Sequence, residues 1–161
     1  MRRLRAGEWL ALVGAVGLLV VLFLHWYHFA AAARGNGDLI VSGWGSLGWF
    51  LDVLLALTIF GGIALTFTTV RRSAPAVPVG SAALTFAVGT ITWIVLLVRI
   101  VLQPDLGTGD SQFVDAYVWP VVGLVLAALI PAGAFVALKD ERTDAPESAY
   151  TPPPARPVPG G

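Results

Sequence analysis

The sequence predicts an all-α fold: an integral membrane four-helix bundle of antiparallel, up-down topology with a disordered C-terminal tail. Three observations lead there. Four apolar stretches of about twenty residues, enough helix to cross a hydrocarbon core roughly 30 Å thick, divide the 161-residue chain. Hydrophobic residues make up 57% of the chain and charged ones only 12%, a composition outside the soluble globular range. Basic residues recur in every second connection, as a chain threading back and forth through a bilayer requires.

Residues 1–8 carry Arg2, Arg3 and Arg5 and form a short N-terminus ahead of the first span, 9–29. The same stretch resembles a signal peptide ending in Ala30-Ala31-Ala32-Ala33, but its apolar run exceeds the 7 to 15 residues of an ordinary h-region, so a retained span is expected. The connection 30–46 is rich in Gly, Asp and Ser and too short for a separate domain. A second span follows over 47–70. Residues 71–78 hold Arg71, Arg72, Pro75 and Pro78, and this short link makes the second and third spans an antiparallel hairpin. The third span is 79–102. After a connection with Asp105, Asp110 and Asp115, the fourth covers 118–138, with Pro120 at a tolerated early position and Pro131 inside, where a kink is expected. Residues 139–161 run from Lys139 and Arg142 into a proline-rich end and read as a disordered cytoplasmic tail.

Orientation follows from the arginines. Arg2, Arg3, Arg5, Arg71, Arg72, Lys139 and Arg142 all fall on one side, while the other has Arg34 and the three aspartates. The positive-inside rule puts both termini in the cytoplasm of a cell whose plasma membrane the chain spans. The formal net charge of zero hides this asymmetry and gives no footing for nucleic acid.

Charged residues within spans are costly and mark candidate sites. Asp52 and Arg99 lie at similar depth in the outer leaflet on the paired second and third spans, so a salt bridge between them is expected; His25 comes at similar depth on the first. This outer polar cluster of His25, Asp52 and Arg99 reads as a structural clasp or, alternatively, as a proton-linked or ligand-binding site. His25 and His28 have a helical spacing that suits two metal ligands, but an aromatic interfacial belt with Trp26, Tyr27 and Phe29 explains them more simply, and no metal site is assigned. Threonines 58, 66, 85, 90 and 92 sit deeper and can satisfy themselves on their own helices. Trp93, near mid-depth, is expected to pack between helices. Gly7, Ala11 and Ala15 on the first span, with Gly123 and Ala127 on the fourth, form small-residue stripes that let helices approach closely.

The absence of cysteine excludes disulfides and thiolate chemistry. Paired carboxylates, a metal-ligand set and a nucleophile with its base are all missing, so neither an enzyme nor a cofactor is expected.

Residues 5–15 (Arg-Ala-Gly-Glu-Trp-Leu-Ala-Leu-Val-Gly-Ala), 22–27 (Leu-Phe-Leu-His-Trp-Tyr) and 50–57 (Phe-Leu-Asp-Val-Leu-Leu-Ala-Leu) resemble a group of uncharacterised small four-span membrane proteins of high-GC Gram-positive bacteria. The similarity covers the first two spans and, in layout, the rest, including an arginine toward the end of the third. Members often have Pro where this chain has His25. Nine Arg against a single Lys fits a GC-rich coding bias. The resemblance implies topology and carries no activity. The expected role is that of a non-enzymatic structural or accessory subunit, partnered by the lipid bilayer and by a second copy or another membrane protein. The alternative is a small transporter or channel component using the outer cluster.

Overall fold

A computed structural model describes residues 6–29, 39–70, 76–102 and 114–143. In chain order the elements are α1 (Ala6–Leu22), β1 (His25–Phe29), β2 (Leu39–Ser42), α2 (Gly43–Ser46), α3 (Trp49–Val70), α4 (Ala76–Val101), β3 (Val114–Ala116) and α5 (Trp119–Thr143). Most of these residues are helical, and among them Trp49–Val70, Gly80–Val101 and Trp119–Lys139 are long and apolar enough to cross a membrane. At 17 residues α1 is shorter, about 25 Å of helix.

The four long helices make an apolar object inside and out. Val13, Val20, Phe60, Phe67, Leu84, Val98 and Val125 stand exposed on the helix surfaces. Side chains turned inward include small or hydroxyl-bearing ones, among them Ala11, Ala15, Thr58, Thr92 and Ala134, beside Leu18, Leu55, Leu96 and Ile130. A water-soluble protein rarely exposes so continuous an apolar surface, whereas lipid tails solvate it at no cost. The chain is thus a membrane protein by its surface as well as by its helix lengths.

α1 packs against α5 and α3, α4 packs against the same two, and α3 and α5 touch only marginally. The α1–α5 crossing is the tightest. A Cβ built on Gly133 would lie 2.5 Å from the Ala11 nitrogen and the Gly7 carbonyl oxygen, and one on Gly7 would lie 2.7 Å from backbone atoms of Ala137 and Gly133. The small residues at 7, 11 and 14 therefore meet the α5 backbone directly, and Ala15 faces Gly62 of α3. Gly123 serves another purpose: its missing Cβ makes room for the Trp26 ring, whose Cζ2 would be 2.7 Å away.

The described residues are mostly helical, as expected, but several boundaries shift and a small sheet joins the helices. The first helix ends at Leu22 instead of running to 29, and residues 25–29 form the central strand of a three-stranded antiparallel sheet of order β2-β1-β3. His-Trp-Tyr-His-Phe and Leu-Ile-Val-Ser are aromatic and β-branched sequences that suit a pleated, half-buried surface. Turn hydrogen bonds close the helix, from Phe23 N to Val20 O at 3.1 Å and from Leu24 N to Val21 O at 3.0 Å. The indole nitrogen of Trp26 then donates to the Val21 carbonyl at 2.8 Å, a second bond to the acceptor that Leu24 N already reaches. The register shifts between His25 and Tyr27. Such a bulge breaks the alternation of a strand, and the neighbours Trp26 and Tyr27 are both buried.

The second long helix begins at Trp49, after the short α2, and not at 47; the third begins at Ala76, with Pro78 in its first turn, where a missing N–H is harmless. α5 starts at Trp119 and continues to Thr143, so Lys139 and four residues beyond it are helical instead of belonging to a disordered tail. Residues 144–161 lie outside the described residues, as do 1–5, 71–75 and Arg34.

Candidate functional site

The start of α3, the end of α4, the short α2 and the sheet converge on the region where the sequence places a polar cluster, and the structure distributes its members unevenly. His25 is exposed at the start of β1, backbone-paired with Ser42. On a strand the helical spacing of His25 and His28 no longer holds, and His28 instead meets the Tyr117 ring edge-on at 6.4 Å. Among the described residues no group of three or more potential metal ligands assembles.

Asp52 and Arg99 are both half-buried. The salt bridge expected between them is not what the guanidinium makes: Nη2 of Arg99 donates to the Ser46 carbonyl at 3.5 Å, at the end of α2, while Oδ1 of Asp52 and Nε of Arg99 are buried with no hydrogen-bond partner. Equal depth on two paired helices did not guarantee that the two side chains turn toward each other. Tyr27 completes the region. Its hydroxyl is also buried without a partner, and it lies within the field of Arg99. Burial raises the Tyr27 phenol above its ordinary 10.0, and the Arg99 charge opposes that rise. A buried polar atom left unpaired costs on the order of 1–3 kcal/mol, so three of them on three elements mark this as the least satisfied region among the described residues.

Sequence reasoning missed Tyr27 and Ser46. Tyr27 read as part of an interfacial aromatic belt, and the β-favouring character of 25–29 was the available signal for a strand that would bring it inward.

Deeper in the bundle most threonine hydroxyls are bonded, while the buried Nε1 of Trp93 has no hydrogen-bond partner. The Thr58 and Thr92 hydroxyls lie 2.8 Å apart across α3 and α4, and each is also 2.8 Å from a carbonyl of its own helix, Leu54 and Val88; with one proton apiece, one hydroxyl donates to the other while the second donates to its own helix. Thr69 and Thr90 bond the carbonyls of Leu65 and Phe86 at 3.0 and 2.7 Å. Thr66 bonds Gly62 and, between helices, the Glu8 carbonyl, both at 3.3 Å. Trp93 packs between α4 and α5 beside Pro131, lining a groove of about 230 Å³. Gly89 admits the Pro131 ring, since a Cβ there would sit 3.2 Å from its Cδ. A larger apolar groove of about 410 Å³ opens between α3 and α4.

Comparison of this chain with protein-family models, with curated proteins and with solved structures finds no match.

Proposed function

We propose that the chain is a plasma-membrane protein whose four long helices form an antiparallel, up-down bundle with both termini in the cytoplasm. It acts as a non-enzymatic structural or accessory subunit, akin to the small four-span proteins of high-GC Gram-positive bacteria that it resembles. The observation that carries this reading is the sealed interior. Leu18, Leu22, Leu55, Leu65, Leu96 and Ile130 are fully buried, and Thr58, Thr66, Thr69 and Thr92 are bonded to carbonyls or to each other, which leaves no continuous row of open polar groups among the described residues for a solute to follow. Reconstituted into liposomes, the protein is expected to leave proton and small-ion leakage at the level of protein-free vesicles; leakage that rises with protein content would overturn the reading.

A second reading is favoured by one observation, the unpartnered atoms of Tyr27, Asp52 and Arg99 at the outer end. On that reading the region is the mouth of a transport component. Its signature is a flux that Asp52→Asn or Arg99→Gln abolishes while the folded protein survives.

A further inference from the structure

The region built from β1, α2, the start of α3 and the end of α4 holds four buried polar atoms with no hydrogen-bond partner among the described residues: the Tyr27 hydroxyl, Nε1 of Trp44, Nε of Arg99 and Oδ1 of Asp52. Three of the four carry a hydrogen to donate, and none of the three reaches the Asp52 oxygen. The elements that carry the donors adjoin. α2 packs against β1, Nη2 of Arg99 holds the carbonyl of Ser46 two residues after Trp44, and the Arg99 charge acts on the Tyr27 phenol. Donors therefore outnumber acceptors here, and one of them is a cation. A guanidinium whose bond is a 3.5 Å contact to a neutral carbonyl lacks the anion that its fork of N–H groups fits. Tyr27, at 1% exposure, is too deep for bulk water to serve its hydroxyl instead. Arg99 itself is half-buried, so the region stays open to its surroundings on one side. It lies in the last turn of α4, two residues before that apolar span ends at Val101, which is the depth of lipid headgroups whichever way round the bundle sits.

We infer that Arg99, Tyr27 and Trp44 form a binding site for a phosphate-type oxyanion, supplied by a phospholipid headgroup or by free phosphate. Arg99 neutralises the anion through its N–H fork, and the phenol and the indole donate to its oxygens, so one ligand supplies the acceptors that all three side chains lack. Phosphate suits the set because its several oxygens can accept from donors that arrive from three different elements, and because headgroup phosphates already lie at this depth. The inference names a ligand for the region that the transport reading treats as a mouth, but it requires no passage. Binding is measured without flux, so a sealed bundle that binds the anion and a leaky one that does not are separate results.

The test is isothermal titration calorimetry of the full chain in maltoside micelles, whose headgroups carry no phosphate, at constant ionic strength and with protein-free micelles as the blank. The probes are inorganic phosphate and dihexanoyl phosphatidylglycerol, with sodium chloride as the control anion. Wild type is expected to give a saturable single-site isotherm with a phosphate-bearing probe and none with chloride. Binding of the lipid alone makes a headgroup the source, binding of inorganic phosphate alone makes it the free ion, and binding of both shows that the phosphate group itself is what is recognised. Arg99→Gln should abolish the isotherm. Tyr27→Phe and Trp44→Phe each keep an aromatic ring and remove one donor, and each should weaken binding by about tenfold, so the inference stays testable if Arg99→Gln does not fold. Absence of saturable binding of both probes to wild type would overturn the inference. So would wild-type affinity in both Tyr27→Phe and Trp44→Phe, which would place the anion elsewhere on the chain.

Discussion

Substituting Gly133 by alanine adds one methyl group to the α1–α5 crossing and tests how the molecule holds together. The new Cβ would fall 2.5 Å from the Ala11 nitrogen and the Gly7 oxygen and 3.0 Å from the Ala11 Cα, all of them backbone atoms that no rotamer change can move. Ordinary contact begins at 3.4 Å, so the helices must part by about 0.9 Å at this level. A radial gap of that size forfeits a quarter to a half of the dispersion energy of the surfaces it separates. Overpacking costs typically 1–3 kcal/mol, and with rigid backbone on both sides Gly133→Ala belongs at the top of that range, about 3 kcal/mol. Gly80, on α4 with nothing within 4 Å of its would-be Cβ, is the control. Gly80→Ala should be neutral or stabilise by up to about 1 kcal/mol. Reversible unfolding in bicelles, followed by tryptophan fluorescence, measures both. If Gly133→Ala is as stable as wild type, or if the two substitutions cost the same, the close backbone approach of α1 and α5 is not what stabilises the bundle.

Other outcomes follow from the same contacts. Thr58→Val, Thr92→Val and the double variant should show a coupling of about 1 kcal/mol or less in a double-mutant cycle, because each hydroxyl keeps a carbonyl on its own helix when its partner is lost. Asp52→Asn and Arg99→Leu should be additive in the same unfolding assay, since Arg99 engages the Ser46 carbonyl; a double variant that recovers the loss of the singles would restore the clasp. Trp26→Phe should cost about 1–3 kcal/mol in thermal unfolding, since the bond to Val21 O goes and a gap opens against Gly43 and Gly123. For Tyr27 the folded state binds the phenol proton more tightly than the unfolded chain, so stability is unaffected below pH 10 and falls as the pH rises above it. Tyr27→Phe should remove that share of the alkaline loss, as measured by parallel tyrosinate absorbance and unfolding titrations.

The helices were legible because hydropathy is a local property: runs of Leu, Val, Ile and Ala declare themselves wherever they sit. Residues 23–29 were not, since Phe-Leu-His-Trp-Tyr-His-Phe is as apolar as the helix before it. What turns it into a strand is pairing with 39–42 and 114–116, partners distant in the sequence. The candidate site was half legible for a related reason. Counting along a span fixes the depth of Asp52 and Arg99 but not the direction each side chain takes around its helix, and that direction sends Arg99 to Ser46. Gly123 shows the same limit: its four-residue spacing from Ala127 suggested a helix contact, and while Val21 of α1 does lie near it, its tightest neighbour is the Trp26 ring that it seats.

The chain has no cysteine, so a single introduced thiol reports its own location without interference. With a membrane-impermeant maleimide on intact cells, Gly37→Cys and Ser111→Cys should label at once, and Ser73→Cys and Ser148→Cys only after the membrane is permeabilised. Labelling of Ser73→Cys and Ser148→Cys from outside, or of the four positions in any pattern that puts residues 73 and 148 on different faces, would contradict the account.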